Sequence, residues 1–284
     1  LLRFRRFPVA VVCDITEMYL RIGLAESDRC FHSFLWRSLE QNREPDVYEF
    51  NRVVFGVNSS PFEAQYVSQY HATVHTNQYP IAAETVLSAT YMDDSMDSVM
   101  SVEAGIELHK QLSKLWSSAG MHARKWLSNS TEVMEHIPIK DRASEVELDK
   151  ESLPSMKTLG VLWIAKNDMF QFQVNRPESL ALTKRSFLSS IAKLFDPMGF
   201  LSPFTIRGKI MMQEVWLSGT EWDDPLSQEL LLKARSWFNE LPTLRTIEVP
   251  RCLQNERQTD IVSMQLHTFV DASQDAYGAC VYSR

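Results

Sequence analysis

Two aspartates stand side by side in the segment Tyr91-Met92-Asp93-Asp94, inside a short stretch, 89–97, that reads as strand, tight turn and strand. That juxtaposition limits the fold more than any other feature of the chain. Adjacent carboxylates in a tight turn repel one another, and withdrawing them from water deepens the conflict. A divalent cation resolves it. Magnesium prefers hard oxygen ligands, commonly one or two carboxylates together with substrate phosphates. Two such ions about 3.5–4 Å apart can clamp both the attacking and the leaving oxygen of a phosphoryl transfer. The plainer alternative is an exposed acidic turn, and the four residues alone do not separate the two.

A third carboxylate lies upstream. Residues 8–15 read Pro-Val-Ala-Val-Val-Cys-Asp-Ile, a β-branched run bounded by proline and therefore a buried strand, with Asp14 near its end. Residues 47–54 alternate loosely and suggest another strand. Ser60-Pro61 opens a helix through Phe62, Ala64, Val67 and His71, because serine caps well and proline suits a first turn. A further helix is expected over 103–118, with Ile106, Leu112, Leu115 and Trp116 near helical spacing and Gly120 as its C-terminal stop. Residues 157–164 read as a strand, and a turn at Lys166-Asn167-Asp168 leads into the alternation of 170–174, making a hairpin.

From about Pro177 the texture becomes helical. Helices are expected over 184–195, stopped by Asp196-Pro197, then over 205–217 and 226–241. Residues 244–259 are polar and read as an irregular connector. An apolar strand over 267–270 ends at Asp271, with 278–282 as its hairpin partner.

Composition narrows the class. Across 284 residues, 44% are hydrophobic and 23% charged, enough apolar material for a sizeable core. No apolar run reaches the roughly eighteen residues a membrane span needs. The opening Leu-Leu-Arg-Phe-Arg-Arg-Phe-Pro has no apolar stretch behind it and is not a secretory signal. It also lacks an initiator methionine and runs straight into a strand, so the chain is expected to be an internal fragment. Cys13, Cys30, Cys252 and Cys280 contain no Cys-x-x-Cys pair, which argues against a zinc ribbon and fits a reducing compartment. The net charge of −7 runs against nucleic-acid binding, which usually asks for a basic surface. Phosphate contact depends on local patches, however. The candidates are Arg3, Arg5 and Arg6, then Lys184 and Arg185, then Arg207 and Lys209.

Taken in order, these segments resemble the palm of reverse transcriptases, in particular those of the BEL/Pao class of long-terminal-repeat retrotransposons. Cys13-Asp14-Ile15-Thr16-Glu17-Met18-Tyr19-Leu20-Arg21-Ile22 resembles the first metal-binding motif, followed by Asp28-Arg29 and Phe34-Leu35-Trp36-Arg37. The segment from Arg52 through Phe55-Gly56 to Ser60-Pro61-Phe62 resembles the nucleotide- and template-contacting motif, and Tyr91 to Asp94 the catalytic hairpin. Ala119-Gly120-Met121 with Lys125-Trp126 is similar to the next motif, and Leu159-Gly160-Val161-Leu162-Trp163 to the primer-grip hairpin. Lys193-Leu194-Phe195-Asp196-Pro197 and Gly199-Phe200-Leu201-Ser202-Pro203 look like a Pao block, and 267–282 like the first hairpin of an RNase H domain.

The resemblance implies an α+β fold: a right-hand polymerase palm with an antiparallel sheet, packed helices and part of the fingers over 1–176, a helical thumb and connection over 177–262, and the start of a truncated RNase H-like domain over 263–284. It implies that Asp14, Asp93 and Asp94 hold two Mg2+ ions, with Mn2+ as a substitute, for RNA-directed DNA synthesis. Tyr19 would be the aromatic gate against a ribose 2′-hydroxyl. Phe55 and Gly56 would meet substrate, and Lys125 the triphosphate. Leu159, Gly160 and Trp163 would grip the primer. Asp271 would be one ligand of an RNase H site whose other ligands are missing, so no RNase H activity is expected. The implied partners are an RNA/DNA template–primer duplex, deoxynucleoside triphosphates and the remainder of a pol polyprotein, with no membrane, inside the cell in the cytoplasm or a virus-like particle. The resemblance leaves the basic finger segment that precedes the first aspartate in that family expected to be absent from this piece, and no Asp-Thr-Gly or Asp-Ser-Gly of an aspartic protease is present. Two alternatives stay open. One is a degenerate or truncated copy that folds and binds nucleic acid without catalysis. The other is an unrelated acidic metal enzyme, against which Tyr19 and the segment 55–61 speak.

Overall fold

The computed structural model describes residues 1–143, 155–158, 161–172, 174, 182–253, 263 and 265–284, the side chains of 155–158 and 161 excepted. It divides into two compact units. The first comprises Leu1–Ser155, Ala165–Asp168 and Arg251–Asn255; the second comprises Met156–Ile164, Met169–Pro250 and Glu256–Arg284.

In the first unit, the proline-bounded apolar run forms strand β1 (Val9–Thr16). Ala10, Val11, Val12, Cys13 and Ile15 are all buried, so the strand reads as a continuous apolar run and not as an alternation. A short helix α1 (Met18–Arg21), a hairpin of β2 (Ser33–Trp36) and β3 (Asp46–Glu49), and helices α2 (Ser60–Val74) and α3 (Pro80–Ala89) follow. Then come β4 (Thr90–Tyr91), β5 (Asp94–Val99), α4 (Val102–Ser118), β6 (His122–Ser128) and α5 (Thr131–Glu135). The main sheet has the order β4-β5-β1-β6 and every pairing is antiparallel.

Strand β5 reads Asp-Ser-Met-Asp-Ser-Val, a polar sequence for a central, buried position, and buried polar groups need partners. It has them. Asp97 accepts hydrogen bonds from the Thr85 hydroxyl (2.7 Å) and the Ser98 N–H (2.8 Å), with the Arg3 guanidinium 3.6 Å away. The Ser98 hydroxyl donates to the Arg3 carbonyl (2.6 Å), and Ser95 shares a 2.8 Å bond with Thr90.

Helix α4 starts where Ser101 accepts a bond from the Ala104 N–H and stops at Gly120, whose φ of +68° is the left-handed C-terminal stop expected from sequence. Its Leu108, Leu112, Leu115 and Trp116 enter the core with Trp126 of β6. A methyl group added at Gly105 would lie 2.9 Å from Val133 and 3.2 Å from Val9, so glycine there permits the close approach of α4 to the sheet. Helix α2 begins where expected, with Pro61 in its first turn, but by a different device. Ser60 is not a cap: its hydroxyl donates to the Val54 carbonyl (2.7 Å), and Ser59 holds the cap position.

In the second unit, β8 (Val161–Ile164) and β9 (Met169–Gln171) form the expected hairpin, with Trp163 opposite Phe170. The strand expected over 157–164 is divided into β7 (Ser155–Thr158) and β8. Helices α6 (Lys184–Ala192), α7 (Ser202–Leu217) and α8 (Gln228–Glu240) pack around Phe187, Trp237 and Phe238. Thr183 and Ser186 form a reciprocal capping box at the start of α6. The Asp196 carboxylate accepts from the N–H groups of Phe200 (2.9 Å) and Leu201 (2.7 Å), fixing the turn between α6 and α7. Within the stretch expected to be irregular, β10 (Glu248–Pro250) pairs with β9, giving the sheet order β10-β9-β8-β7. Strands β11 (Leu266–Ala272) and β12 (Tyr277–Ser283) form a two-stranded hairpin with Phe269, Val270 and Tyr277 exposed. No described helix is long and apolar enough to cross a membrane.

Candidate functional site

Register brings the acidic residues together. Asp14 near the end of β1 is the direct cross-strand partner of Asp94 at the start of β5. The Ile15 N–H donates to the Asp93 carbonyl (2.9 Å), tying the β4–β5 turn to the end of β1. Residues opposite one another in an antiparallel pair have Cβ atoms about 4.5–5.5 Å apart, and like charges placed so destabilise one another. The effect is visible at Asp94. Burial first, then the charges of Asp93 and Asp14, raise its carboxyl to about 6, while Lys125 pulls the other way.

The turn itself is strained. Its two central residues are Met92 and Asp93, and Met92 has φ +57°. A left-handed first central residue is the pattern of a hairpin turn that normally places glycine there. Glu17, three residues beyond Asp14, has φ +56°, and Lys125 has φ +53°. Three non-glycine residues in this region thus border the acidic cluster. Such strain costs on the order of 1–3 kcal/mol per residue and concentrates at functional sites.

Lys125 reaches the cluster through a β-bulge. Val12 pairs with Leu127 but Asp14 pairs with Arg124, so two steps along β1 span three along β6. The lysine ammonium donates to Asp14 Oδ2 at 2.9 Å. Tyr19, on α1, is half-buried with its ring centroid 4.7 Å from that of Phe55. Its phenol is raised by partial burial and by the charges of Asp93 and Tyr91, which places it beside the turn. Phe55 is 73% exposed. Gly56 has φ +89° and open space where a side chain would stand.

Gln65 is a site residue that the sequence reading missed. From α2, its Oε1 accepts from the Met92 N–H (3.0 Å), and its Nε2 makes a longer contact to the Thr90 carbonyl (3.5 Å). It therefore holds both sides of the acidic turn. The only local signal is a glutamine on the helix face that meets the hairpin, and the contact spans 27 residues.

The donors are hard oxygens with unrelieved mutual repulsion, which is the chemistry a divalent cation satisfies. The side chains are not drawn together as ligands, however. Among the described residues no group of three or more histidine, cysteine, aspartate or glutamate side chains is arranged to hold a metal ion. Cys13, next to Asp14, adds no nucleophile: burial pushes its thiol far up.

Other expected site residues lie elsewhere. Trp163 is buried on β8 of the second unit, so anything it offers a primer comes through the strand it anchors. Leu159 and Gly160 fall outside the described residues. Asp271 is exposed on β11, where its carboxylate accepts from the Ala272 N–H (2.9 Å).

The basic patches expected to meet phosphate are largely consumed within the fold. Arg185 pairs with Asp223 through two bonds (2.7 and 2.9 Å), and Arg207 with Glu240 likewise (both 2.7 Å). Lys184 stands 4.0 Å over Trp216 and 5.3 Å from Trp222. Arg3 faces Glu84 and Asp97, Arg5 donates to the Arg251 carbonyl, and Arg6 lies over Phe7. Lys209 is exposed. Neutralised cations of this kind hold elements together and offer less to a polyanion.

The chain is thus a mixed α and β protein, built on antiparallel sheets, with a strained acidic turn. Residues 183–284 match the family model described as the Pao retrotransposon-like RNaseH-like domain. The match takes in α6 to α8 and the hairpin containing Asp271, and supports a kinship with Pao retrotransposon proteins. An RNase H-like family of this kind points to enzymes that act on nucleic acids. The acidic cluster lies outside the matched residues. No curated protein matches the chain.

Proposed function

We propose that the first unit is the polymerase core of a Pao-type reverse transcriptase, adding deoxynucleotides to a primer 3′-hydroxyl on a template–primer duplex as part of a pol polyprotein. The observation that carries the reading is the register of Asp14 on Asp94 with Asp93 in the adjoining turn. Acidic residues about eighty positions apart stand opposite one another at one strand end. On this reading the sheet β4-β5-β1-β6 with α2, α3 and α4 is the palm, the helices of the second unit serve as thumb and connection, and β11–β12 opens an RNase H-like sheet.

Asp14, Asp93 and Asp94 would hold Mg2+, or Mn2+ in its place. When bound, the ions supply charge neutralisation at the triphosphate and lower the cost of deprotonating the primer hydroxyl. The chain's own residues do the positioning. Gln65 fixes the turn that presents Asp93. Tyr19, braced on Phe55, walls the position where a ribose 2′-hydroxyl would enter. Gly56 leaves room for close backbone approach to substrate. Lys125 offers a mobile point charge to a pyrophosphate.

Extension of a DNA primer on an RNA template with Mg2+ tests the proposal. Product from the wild type and none from Asp93→Asn supports it, and product from both removes the turn from the chemistry. A second reading, a copy that folds without catalysis, is favoured by the ion-paired state of Arg185 and Arg207. It expects no product from either protein.

A further inference from the structure

His109 of α4 is a buried histidine with a ring nitrogen left over. It is 9% exposed, and its ring stands edge-on to Trp126 of β6 with centroids 4.7 Å apart. Its Nδ1 has no hydrogen-bond partner among the described residues. A neutral imidazole tolerates such a position, because only one of its nitrogens carries a proton. An imidazolium does not. Both nitrogens then carry N–H groups, and the one on Nδ1 would meet no acceptor in a site nearly closed to water.

Trp126 also lies where the outer edge of the main sheet is covered. Strand β6 ends the order β4-β5-β1-β6. Beyond it the chain passes through α5 and a 3-10 turn (Ile139–Asp141), then returns along that edge. Trp126 forms a parallel bridge with Arg142, and the Ala143 N–H donates to the Trp126 carbonyl (2.9 Å). The buried Asp141 carboxylate accepts from His122 Nε2 (2.9 Å), with Arg124 Nε 3.9 Å away. Both of those cations stand on β6, so the segment 136–143 is strapped to the strand at Asp141 and at Ala143. Uncovered strand edges invite pairing with other chains, and a covering segment prevents it.

Of the charged groups on the elements packed against His109, those acting on it are Asp141 on the turn, His136 at the end of α5 and Lys110 on its own helix. Burial dominates and holds the imidazole below its ordinary range, with Asp141 opposing and His136 and Lys110 reinforcing. A released strap lets His109 take its proton near the ordinary pH of about 6.5, and a docked strap resists it, so docking is complete above that pH and weakens below it.

We infer that His109 is a pH-sensitive latch beneath the segment 136–143, which stays docked on β6 while the ring is neutral and lifts on acidification, baring the outer edge of the main sheet.

Amide exchange at Ala143, followed by NMR on the full chain and expressed as protection relative to the unstructured rate at each pH, tests the latch. Wild-type protection at Ala143 should fall roughly tenfold between pH 7.5 and pH 5, inside the limit of about thirtyfold for a group that titrates near 6.5 only when released. Protection at Val53, whose N–H donates to the Ile22 carbonyl (3.0 Å), should hold. His109→Phe keeps a ring against Trp126 but takes no proton, and should flatten the response at Ala143. His109→Gln should do the same and serves if the phenylalanine variant folds poorly. His122→Gln should leave the fall in place, because a protonated His122 binds Asp141 more strongly, not less. A fall of full size in both His109 variants, no fall in the wild type, or an equal loss at Val53 overturns the latch. Disappearance of the fall in His122→Gln makes His122 the sensor and overturns it as well.

Discussion

Asp14 and Asp94 face one another across β1 and β5, and the repulsion between them is only partly offset by the Lys125 ammonium 2.9 Å from Asp14. The fold thus keeps two carboxylates in a place that neither stability nor solvation favours.

That conflict gives the protein a pH signature. The Asp94 carboxyl is raised to about 6, so the folded state holds its proton more tightly than the unfolded chain does. Stability from this source is complete below the ordinary aspartate range near pH 4 and is lost as pH rises towards 6. Allowing for solvent screening, the loss is about 1–2 kcal/mol. Urea unfolding at pH 4 and pH 7 should therefore show Asp94→Asn more stable than wild type at pH 7 by about that amount, with the two converging near pH 4. A wild type that gains on Asp94→Asn between pH 4 and 7 contradicts the assignment.

On the proposed function, Gln65 positions the turn through the Met92 N–H without touching the reacting atoms. Replacing it with leucine removes a bond worth roughly 1 kcal/mol and frees the Met92 N–H. Thermal unfolding should shift by a few degrees, while kcat for nucleotide addition falls tenfold or more because the carboxylate is misplaced. An unchanged kcat alongside a lowered melting temperature would make the contact purely structural.

Arg251 is a separate matter of stability. It is fully buried, bonds both oxygens of Asp168 (2.5 and 2.8 Å) and donates to the carbonyls of Phe4, Phe7 and Pro8. Arg251→Met removes its bonds to the Asp168 carboxylate and to those carbonyls from a buried position and should cost about 3–5 kcal/mol in chemical denaturation. A loss under about 1 kcal/mol would show that the network is dispensable.

Tyr19 should govern sugar choice. With its ring braced on Phe55, Tyr19→Val opens the space beside the acidic turn. Ribonucleotide use relative to deoxynucleotide should rise roughly ten- to a hundredfold, measured as the ratio of kcat/KM values. No change in that ratio would make Tyr19 a packing residue.

How much of this could be read from the chain varied with the physics. Strand β1 and helices α2 and α4 were legible because their apolar patterns are complete and their ends carry proline, serine or glycine signals. The acidic hairpin was legible from Tyr91 to Asp94. Helix α3 was missed, since it is short and opens at Tyr79-Pro80 with no side-chain cap. Strand β6 was missed because its bulge breaks the alternation that marks a strand. The strand expected over 47–54 shrinks to β3, Asp46–Glu49. The positions of Gln65 and Lys125 depend on tertiary contacts 27 and 111 residues apart in sequence, which no local pattern encodes. The ion pairs of Arg185 and Arg207 were not legible for the same reason: their partners are 38 and 33 residues away.

Single-nucleotide addition to a primer annealed to RNA, compared across wild type, Asp14→Asn, Asp93→Asn and Asp94→Asn, bears most directly on the claim that the three aspartates form one site. The account predicts addition by the wild type and a loss of at least a hundredfold in each variant, with circular dichroism showing all four folded. Full activity in Asp14→Asn would separate β1 from the hairpin and contradict it.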